Sequence, residues 1–262
     1  VDYSFYKYHG SGNDFILFDN RSGEIRPEST WIRHLCHRRF GIGADGVILL
    51  ETAPGFDFGM RYYNADGNES TMCGNGGRCI TAFADFLSLP GKQYRFQAVD
   101  GPHTAVILSS QDNLYRVKLS MKDVDISEKK GPDYILDTGS PHYVTFLPDI
   151  PDLNVVELGR AIRNRPEFGQ AGINANFVAP SQDGIFVRTY ERGVEDETLS
   201  CGTGVTASAL AFALSRGLTA GAVDIRTLGG ELRVHFNYQE GIFTDIFLEG
   251  PAQKVFEGSV HI

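Results

Sequence analysis

The chain has 262 residues, 42% of them hydrophobic, which is enough for one large domain or two of ordinary size with real cores. Its 24 basic and 33 acidic side chains leave a net charge of -9, with no general attraction for phosphate backbones or anionic lipid, so neither nucleic acid nor membrane is an expected partner. No stretch approaches the roughly 18 apolar residues of a membrane span, residues 1–7 lack a charged start followed by an apolar run, and four cysteines (Cys36, Cys73, Cys79, Cys201) are too sparse for an extracellular disulfide scaffold. These features predict a cytoplasmic protein with free thiols, and the absence of C-x-x-C spacing argues against a metal site.

Residues 4–8 alternate and predict a strand, after which His9-Gly10-Ser11-Gly12-Asn13-Asp14 turns into a second strand over 15–19. A helix is predicted over 27–38, with Pro27 near its start and Trp31, Ile32, Leu35 and Cys36 on one face, which makes Cys36 a core residue. Gly41-Ile42-Gly43-Ala44-Asp45-Gly46 leads into an apolar strand, 47–50, and a further strand, 59–63, ends at Asn64-Ala65-Asp66-Gly67. Next comes Cys73-Gly74-Asn75-Gly76, a glycine-rich turn at the mouth of a helix over 79–87. Ile80, Phe83, Ala84 and Leu87 fall at helical spacing there, Pro90-Gly91 ends the helix, and Cys79 reads as a packing residue inside it. Strands over 94–98, 104–108 and 114–119 follow, with a domain boundary near 111–113.

Beyond that boundary the chain repeats its plan. Gly139-Ser140-Pro141-His142-Tyr143-Val144 answers Gly10-Ser11-Gly12-Asn13-Asp14-Phe15 at an offset of 129, and a helix-like stretch at 156–163 answers 31–38. Gly172-Ile173-Asn174-Ala175-Asn176 answers Gly41-Ile42-Gly43-Ala44-Asp45 at 131, Tyr190-Glu191-Arg192-Gly193 answers Tyr63-Asn64-Ala65-Asp66 at 127, and Cys201-Gly202-Thr203-Gly204 answers Cys73-Gly74-Asn75-Gly76 at 128, opening a helix over 207–215. Residues 222–249 are strand-rich, and a last strand, 253–261, returns to the first half. The fold class expected is therefore α+β: two pseudo-symmetric domains, each of mainly antiparallel strands around a central helix, with the site in the cleft between them. One domain takes 1–113 with 252–262 and the other 114–251.

A helix start beside a cysteine leaves free backbone N–H groups that attract an anion and favour thiolate over thiol. For one copy, a glycine-rich turn with an inert cysteine explains the pattern equally well; two copies in equivalent halves form a matched pair. If a small amino acid's carboxylate bridges both helix starts, its α-carbon lies between two sulfurs. One thiolate can then remove the α-proton while the opposite thiol protonates the other face, inverting the stereocentre. The anion developing on the carboxylate is met by the same N–H groups, and no electron-sink cofactor is required.

Together, His9-Gly10-Ser11-Gly12-Asn13-Asp14-Phe15, Asn64-Ala65-Asp66-Gly67, Cys73-Gly74-Asn75-Gly76, Pro141-His142, Asn174, Tyr190-Glu191-Arg192-Gly193 and Cys201-Gly202-Thr203-Gly204 closely resemble diaminopimelate epimerase along the whole chain. The resemblance implies a pyridoxal-independent isomerase, without cofactor or metal, that interconverts LL- and meso-2,6-diaminopimelate on the route to lysine and bacterial cell wall; it admits a homodimer. It implies that Cys73 and Cys201 are the acid/base thiols, that His142 assists near Cys73 and Glu191 near Cys201, and that Arg192 binds the distal carboxylate in a bidentate pair. Asn13, Asn64 and Asn174 would hydrogen-bond the amino acid ends, and backbone amides around Gly74, Asn75, Gly202 and Thr203 would take the proximal carboxylate. Two positions depart from the pattern: Ser140 stands where the family commonly has Asn, and Gly46, assigned no contact, stands where some members have a polar side chain. The alternatives are a proline racemase-like enzyme, a cysteine hydrolase or transferase using Cys73 with His142, and a carboxylate-binding module. Arg192 with Asn64 and Asn174 argues against the first, Cys201 is idle in the second, and the third gives no reason for sulfur at both sites.

Overall fold

The computed structural model describes residues 1–126, 128–130 and 132–261. It contains two compact units, Val1–Leu119 with Gly250–Ile262 and Ser120–Glu249, and both are α+β. No helix among the described residues is long and apolar enough to cross a membrane.

In the first unit the strands close a ring. Asp2–Gly10 pairs on one side with the end of Ile242–His261 and on the other with Asn13–Asp19. From there the order runs through Gly46–Glu51, Phe58–Asn64, Gln93–Ala98, Gly101–Gln111 and Leu114–Ser120. Residues 114–117 then meet 250–253, which closes it. Two neighbouring pairs are parallel, 15–19 with 46–50 and 58–59 with 96–97; the rest are antiparallel. Helix α1 (Ser29–Cys36) packs Ile32, Leu35 and Cys36 against Phe18, Val47 and Leu49 on one face of the sheet. On the other face lies helix α2 (Gly74–Phe86), buried from Gly74 through Ala84. The strand 46–51 is therefore covered on both sides, which is why its sequence is a continuous apolar run and not an alternation. Gly46 opens that strand because a Cβ there would lie 2.4 Å from the Tyr63 carbonyl oxygen.

The second unit follows the same plan. Its strand order is Asp133–Asp137, Pro141–Phe146, Asn174–Ser181, Gly184–Glu191, Ala220–Thr227, Gly230–Gln239 and then 242–249, which meets Val124–Asp125. The parallel pairs, 142–146 with 174–178 and 185–186 with 225–226, occupy the places their counterparts hold in the first unit. Helix α3 (Val155–Arg163) covers one side, with Gly159 where a Cβ would come 2.2 Å from Tyr190 Cβ. Helix α4 (Gly202–Arg216) forms the core of the unit, with Val205, Ala209, Leu210 and Ala213 among its buried side chains.

Both central helices begin earlier than sequence periodicity predicts, at Gly74 and Gly202 instead of 79 and 207. Glycine is a poor helix former, but space overrides propensity here. A Cβ at Gly77 would approach Leu119 to 2.8 Å, and one at Gly204 would reach 2.5 Å from Asn176 Oδ1. The C-terminal strand is also longer than expected, one element from Ile242 to His261 that passes through Gly250-Pro251.

Arg78 is the largest fully buried side chain. Its guanidinium donates to the carbonyls of Gly74 (3.2 Å) and Pro251 (3.2 Å), to Asn75 Oδ1 (2.8 Å) and to Ser11 Oγ (3.4 Å), fastening α2 to the returning C-terminal strand. Burial lowers its pKa to about 10, so it stays charged at neutral pH. Arg78→Met strands these buried acceptors, and the expected loss is about 3 kcal/mol in urea unfolding; an unchanged midpoint would show that the guanidinium does not hold the unit together.

Candidate active site

Cys73 caps α2 in extended conformation (φ -93°, ψ 131°), and Cys201 caps α4 in the same way (φ -112°, ψ 115°). Each sulfur thus stands at a helix N-terminus, where first-turn amides have no intrahelical partner and the helix dipole favours negative charge. All four cysteines are free thiols; Cys73 is half-buried and Cys201 buried.

Around Cys73 the partners come from the first turn of α2 and from two loops. Cys73 Sγ donates to Asn13 Oδ1 at 3.5 Å, and Asn75 Nδ2 donates to the same oxygen at 3.2 Å. The other end of Asn13 donates through Nδ2 to Asp45 Oδ2 at 2.6 Å. Asp45 is held by Arg38 (2.6 Å), which also pairs with Asp14 (2.7 Å), and Asp14 takes Lys7 at 2.6 Å. Burial acts to raise the Asp14 carboxyl, but hydrogen bonds from Arg38 and Lys7 overcome it and hold the group down at about 2. Asn13 is therefore fixed by charged neighbours on the strand and loop beneath it.

Around Cys201 the arrangement differs. Thr203 Oγ1 lies 3.5 Å from Cys201 Sγ and 2.9 Å from His142 Nε2, while His142 Nδ1 is 3.1 Å from Asn176 Nδ2. Asn176 also donates to the Tyr143 carbonyl at 3.0 Å and accepts from Thr189 Oγ1 at 2.9 Å. His142 is fully buried, and desolvation pushes its pKa down to about 3, so the imidazole is neutral at physiological pH. The resemblance sets His142 near Cys73; its hydrogen bonds run to Thr203 and Asn176, within the second unit.

Asn174 and Arg192 are brought together by Ser140. Asn174 Nδ2 donates to Ser140 Oγ (2.9 Å) and to the Pro141 carbonyl (3.0 Å), Asn174 Oδ1 accepts the Arg192 amide (2.8 Å), and Arg192 donates to Ser140 Oγ at 3.4 Å. The shorter side chain at 140 thus serves as a shared acceptor that holds the guanidinium. Asn64 ends its strand at a backbone turn, with its amide donating to the Asn68 carbonyl and its carbonyl accepting from Gly67. Glu191 ends the strand Gly184–Glu191 opposite Asp196, one residue before Arg192. Lys7, Arg38, Asp45, Arg78, Asn176 and Thr189 all enter these networks without a role that the sequence assigns them. For Asp45 and Asn176 the signal was present, since both close the strings that repeat at an offset of 131.

In its fold the chain is a two-domain protein of the kind seen in amino acid epimerases and PhzF-type proteins. A PhzF family phenazine biosynthesis protein of Bacillus anthracis superposes with a TM-score of 0.73 at 12% identity, covering 100% of both chains. A hydroxyproline epimerase from Agrobacterium vitis gives 0.73 at 15%, covering 99% of this chain and 92% of that one. Sequence comparison is narrower: the family profile described as "Diaminopimelate epimerase" matches residues 5–124 and 134–255. A diaminopimelate epimerase of Flavobacterium psychrophilum is 48% identical over 97% of this chain and 99% of its own length, and one of Chlorobaculum tepidum is 42% identical over 96% and 98%. The chain belongs to the diaminopimelate epimerase family.

The neutral, buried His142 has a consequence for stability. The unfolded chain takes up a proton at this side chain below its ordinary value of 6.5, the folded chain only near 3, so folding stability falls as pH drops through that window and is fully present above it. His142→Gln is expected to flatten the dependence of the urea midpoint on pH between about 4.5 and 6.5. A slope equal to that of the wild type would show that the imidazole is not held neutral.

Proposed function

We propose that this protein interconverts LL- and meso-2,6-diaminopimelate without a cofactor, using Cys73 and Cys201 as the two acid/base groups. The observation that carries the reading is the matched pair of cysteines, each the N-cap of the buried central helix of its own unit, in a chain of this family. The proximal carboxylate is taken by the amides of Gly74, Asn75, Gly202 and Thr203, which also stabilise the negative charge that develops as the α-proton leaves. One thiolate removes that proton, and the other cysteine delivers its own to the opposite face. Each unit supplies one sulfur, so the units act as two epimerase halves.

Arg192, steadied by Ser140 and Asn174, supplies the charge for a distal carboxylate, with Asn64 as a neutral hydrogen-bonding partner and Asn13 held beside Cys73. This favours a substrate with two amino acid ends over a monocarboxylate such as proline. His142 and Glu191 assist the thiols by hydrogen bonding. The resemblance further implies a cytoplasmic homodimer, and sedimentation equilibrium of the purified chain tests the assembly.

Purified, reduced protein without added cofactor is expected to exchange the α-hydrogen of diaminopimelate with solvent deuterium, read by proton NMR. No exchange would overturn the assignment, and racemisation of proline in its place would select a different substrate for the same chemistry. Cys73→Ala and Cys201→Ala are each expected to abolish epimerisation; near-normal turnover by either would exclude a two-thiol mechanism.

A further inference from the structure

The offset between the halves is 127 at Tyr63 and Tyr190 but 128 at Cys73 and Cys201, so the second copy holds one residue more between its tyrosine and its cysteine. Strand pairing locates it. Tyr63 lies opposite Glu69 and Tyr190 opposite Glu197, partners already related by 128, and Glu191 pairs with Asp196, which confines the added residue to 192–195. That loop carries Arg192. We infer that Glu195 braces the lengthened loop and is a positioning residue that aims Arg192 at the distal carboxylate of the substrate; the inference rests on the role proposed for Arg192 above.

Glu195 has a left-handed backbone (φ 61°), a conformation that is unfavourable for a residue with a Cβ and persists where the surroundings over-determine it. Its amide donates to the Glu191 carbonyl at 2.8 Å and closes the loop on itself. The side chain also returns to the loop: Oε1 accepts the Gly193 amide at 3.1 Å, Oε2 accepts the Tyr190 hydroxyl at 2.9 Å, and Arg163 Nε reaches both oxygens at 3.1 and 3.2 Å. Burial acts to raise this carboxyl, but the hydrogen bonds from Gly193, Tyr190 and Arg163 overcome it and hold the group below its ordinary range. A carboxylate offers about four lone-pair sites, and these contacts fill them, so Glu195 acts on its neighbours and not on a ligand. The loop of the first copy is closed locally instead, by Asp66 accepting from the amide and side chain of Asn68, both at 2.9 Å.

The brace reaches Arg192 from two directions. Along the backbone, Gly193 is its next neighbour, and the Arg192 amide is itself fixed to Asn174 Oδ1 at 2.8 Å. Through space, Arg163 Nη1 donates to the Gln170 carbonyl at 3.3 Å, and the adjoining Ala171 carbonyl accepts from Arg192 Nη1 at 3.4 Å. Gly172 follows, where a Cβ would lie 2.6 Å from Arg163 Nη1. The contacts close a ring through Arg192, Ala171, Gln170, Arg163, Glu195 and Gly193 in which Glu195 is the single acidic residue. Its charge is spent on Arg163. Arg192 touches only neutral oxygens in these networks, those of Ala171 and Ser140, each at 3.4 Å, so its guanidinium is held in place while its charge stays available to a carboxylate. Preorganisation of this kind lowers the cost of binding without taking part in the chemistry.

Glu195→Ala and Glu195→Gln in the full chain test the inference. Glutamine keeps an oxygen for the Gly193 amide and Arg163 and can give its NH2 to the Tyr190 oxygen, so it preserves the brace. Glu195→Ala is expected to raise KM for diaminopimelate about tenfold with kcat within about threefold of wild type, the signature of lost substrate binding, and Glu195→Gln to stay within about threefold in both. In an Arg192→Ala background, Glu195→Ala should lower kcat/KM no further, because residues that act as one unit are not additive. An unchanged KM in Glu195→Ala, a fall in kcat in its place, or independent effects of the two substitutions would each overturn the inference. A second measurement uses no substrate, so failure of the inference and failure of the diaminopimelate assignment are separate results. By NMR, hydrogen exchange at the Gly193 amide is expected to quicken about tenfold or more in Glu195→Ala and to stay near wild type in Glu195→Gln. Equal exchange in wild type and the alanine variant would remove the brace whatever the substrate.

Discussion

The constraint on which the rest depends is the burial of a helix on all its faces. A helix that packs strands around its whole circumference cannot satisfy its first-turn amides with water along its sides. Its N-terminal end is then the one place where those donors meet a polar environment. In each unit that end carries a cysteine, and glycines recur in the turn that follows because the surrounding side chains leave no room for a Cβ at particular positions, as at Gly77 against Leu119 and Gly204 against Asn176. Packing and chemistry thus make the same demand: a glycine-rich start lets the helix fit and also leaves its amides open to a carboxylate.

The two units share this skeleton and differ in how they surround it with charge. The first has a buried cation, Arg78, bonded to Asn75, and a cluster of carboxylates and bases around Asp14 and Asp45 that holds Asn13. The second replaces the carboxylate of Asp45 by the amide of Asn176 and the amide of Asn13 by the imidazole of His142, and its network is neutral. Buried neutral networks of this kind are stable only when every donor and acceptor is matched. Asn176 meets that condition, with both hydrogens donated and its oxygen accepting from Thr189.

The departure at position 140 is explained in the same terms. A serine where the family commonly has an amide reaches less far, yet its hydroxyl accepts from both Asn174 and Arg192 and so fixes the guanidinium relative to the strand beneath it. The position keeps a role in the site through orientation of its neighbours.

Much of this protein was legible in its sequence because periodicity and repetition are local properties. Apolar spacing placed the helices around Ile32 and Leu35 and behind Cys73 and Cys201. The nearly constant offset between the halves carries the two-unit plan, and the repeated Cys-Gly-x-Gly marks the candidate chemistry. What the tertiary structure decided depended on space and direction, which a string of residues does not encode. The helices start at Gly74 and Gly202 because close packing overrides the low helix propensity of glycine. Strand 242–261 runs unbroken through Gly250-Pro251, where the Pro251 carbonyl accepts from Arg78. The orientations of Asn13, Asn75 and Asn176, and with them the tautomer of His142, follow from which neighbour can only donate and which can only accept; that is settled when the chain folds and brings residues 13, 45 and 75, or 142, 176 and 203, within hydrogen-bonding distance.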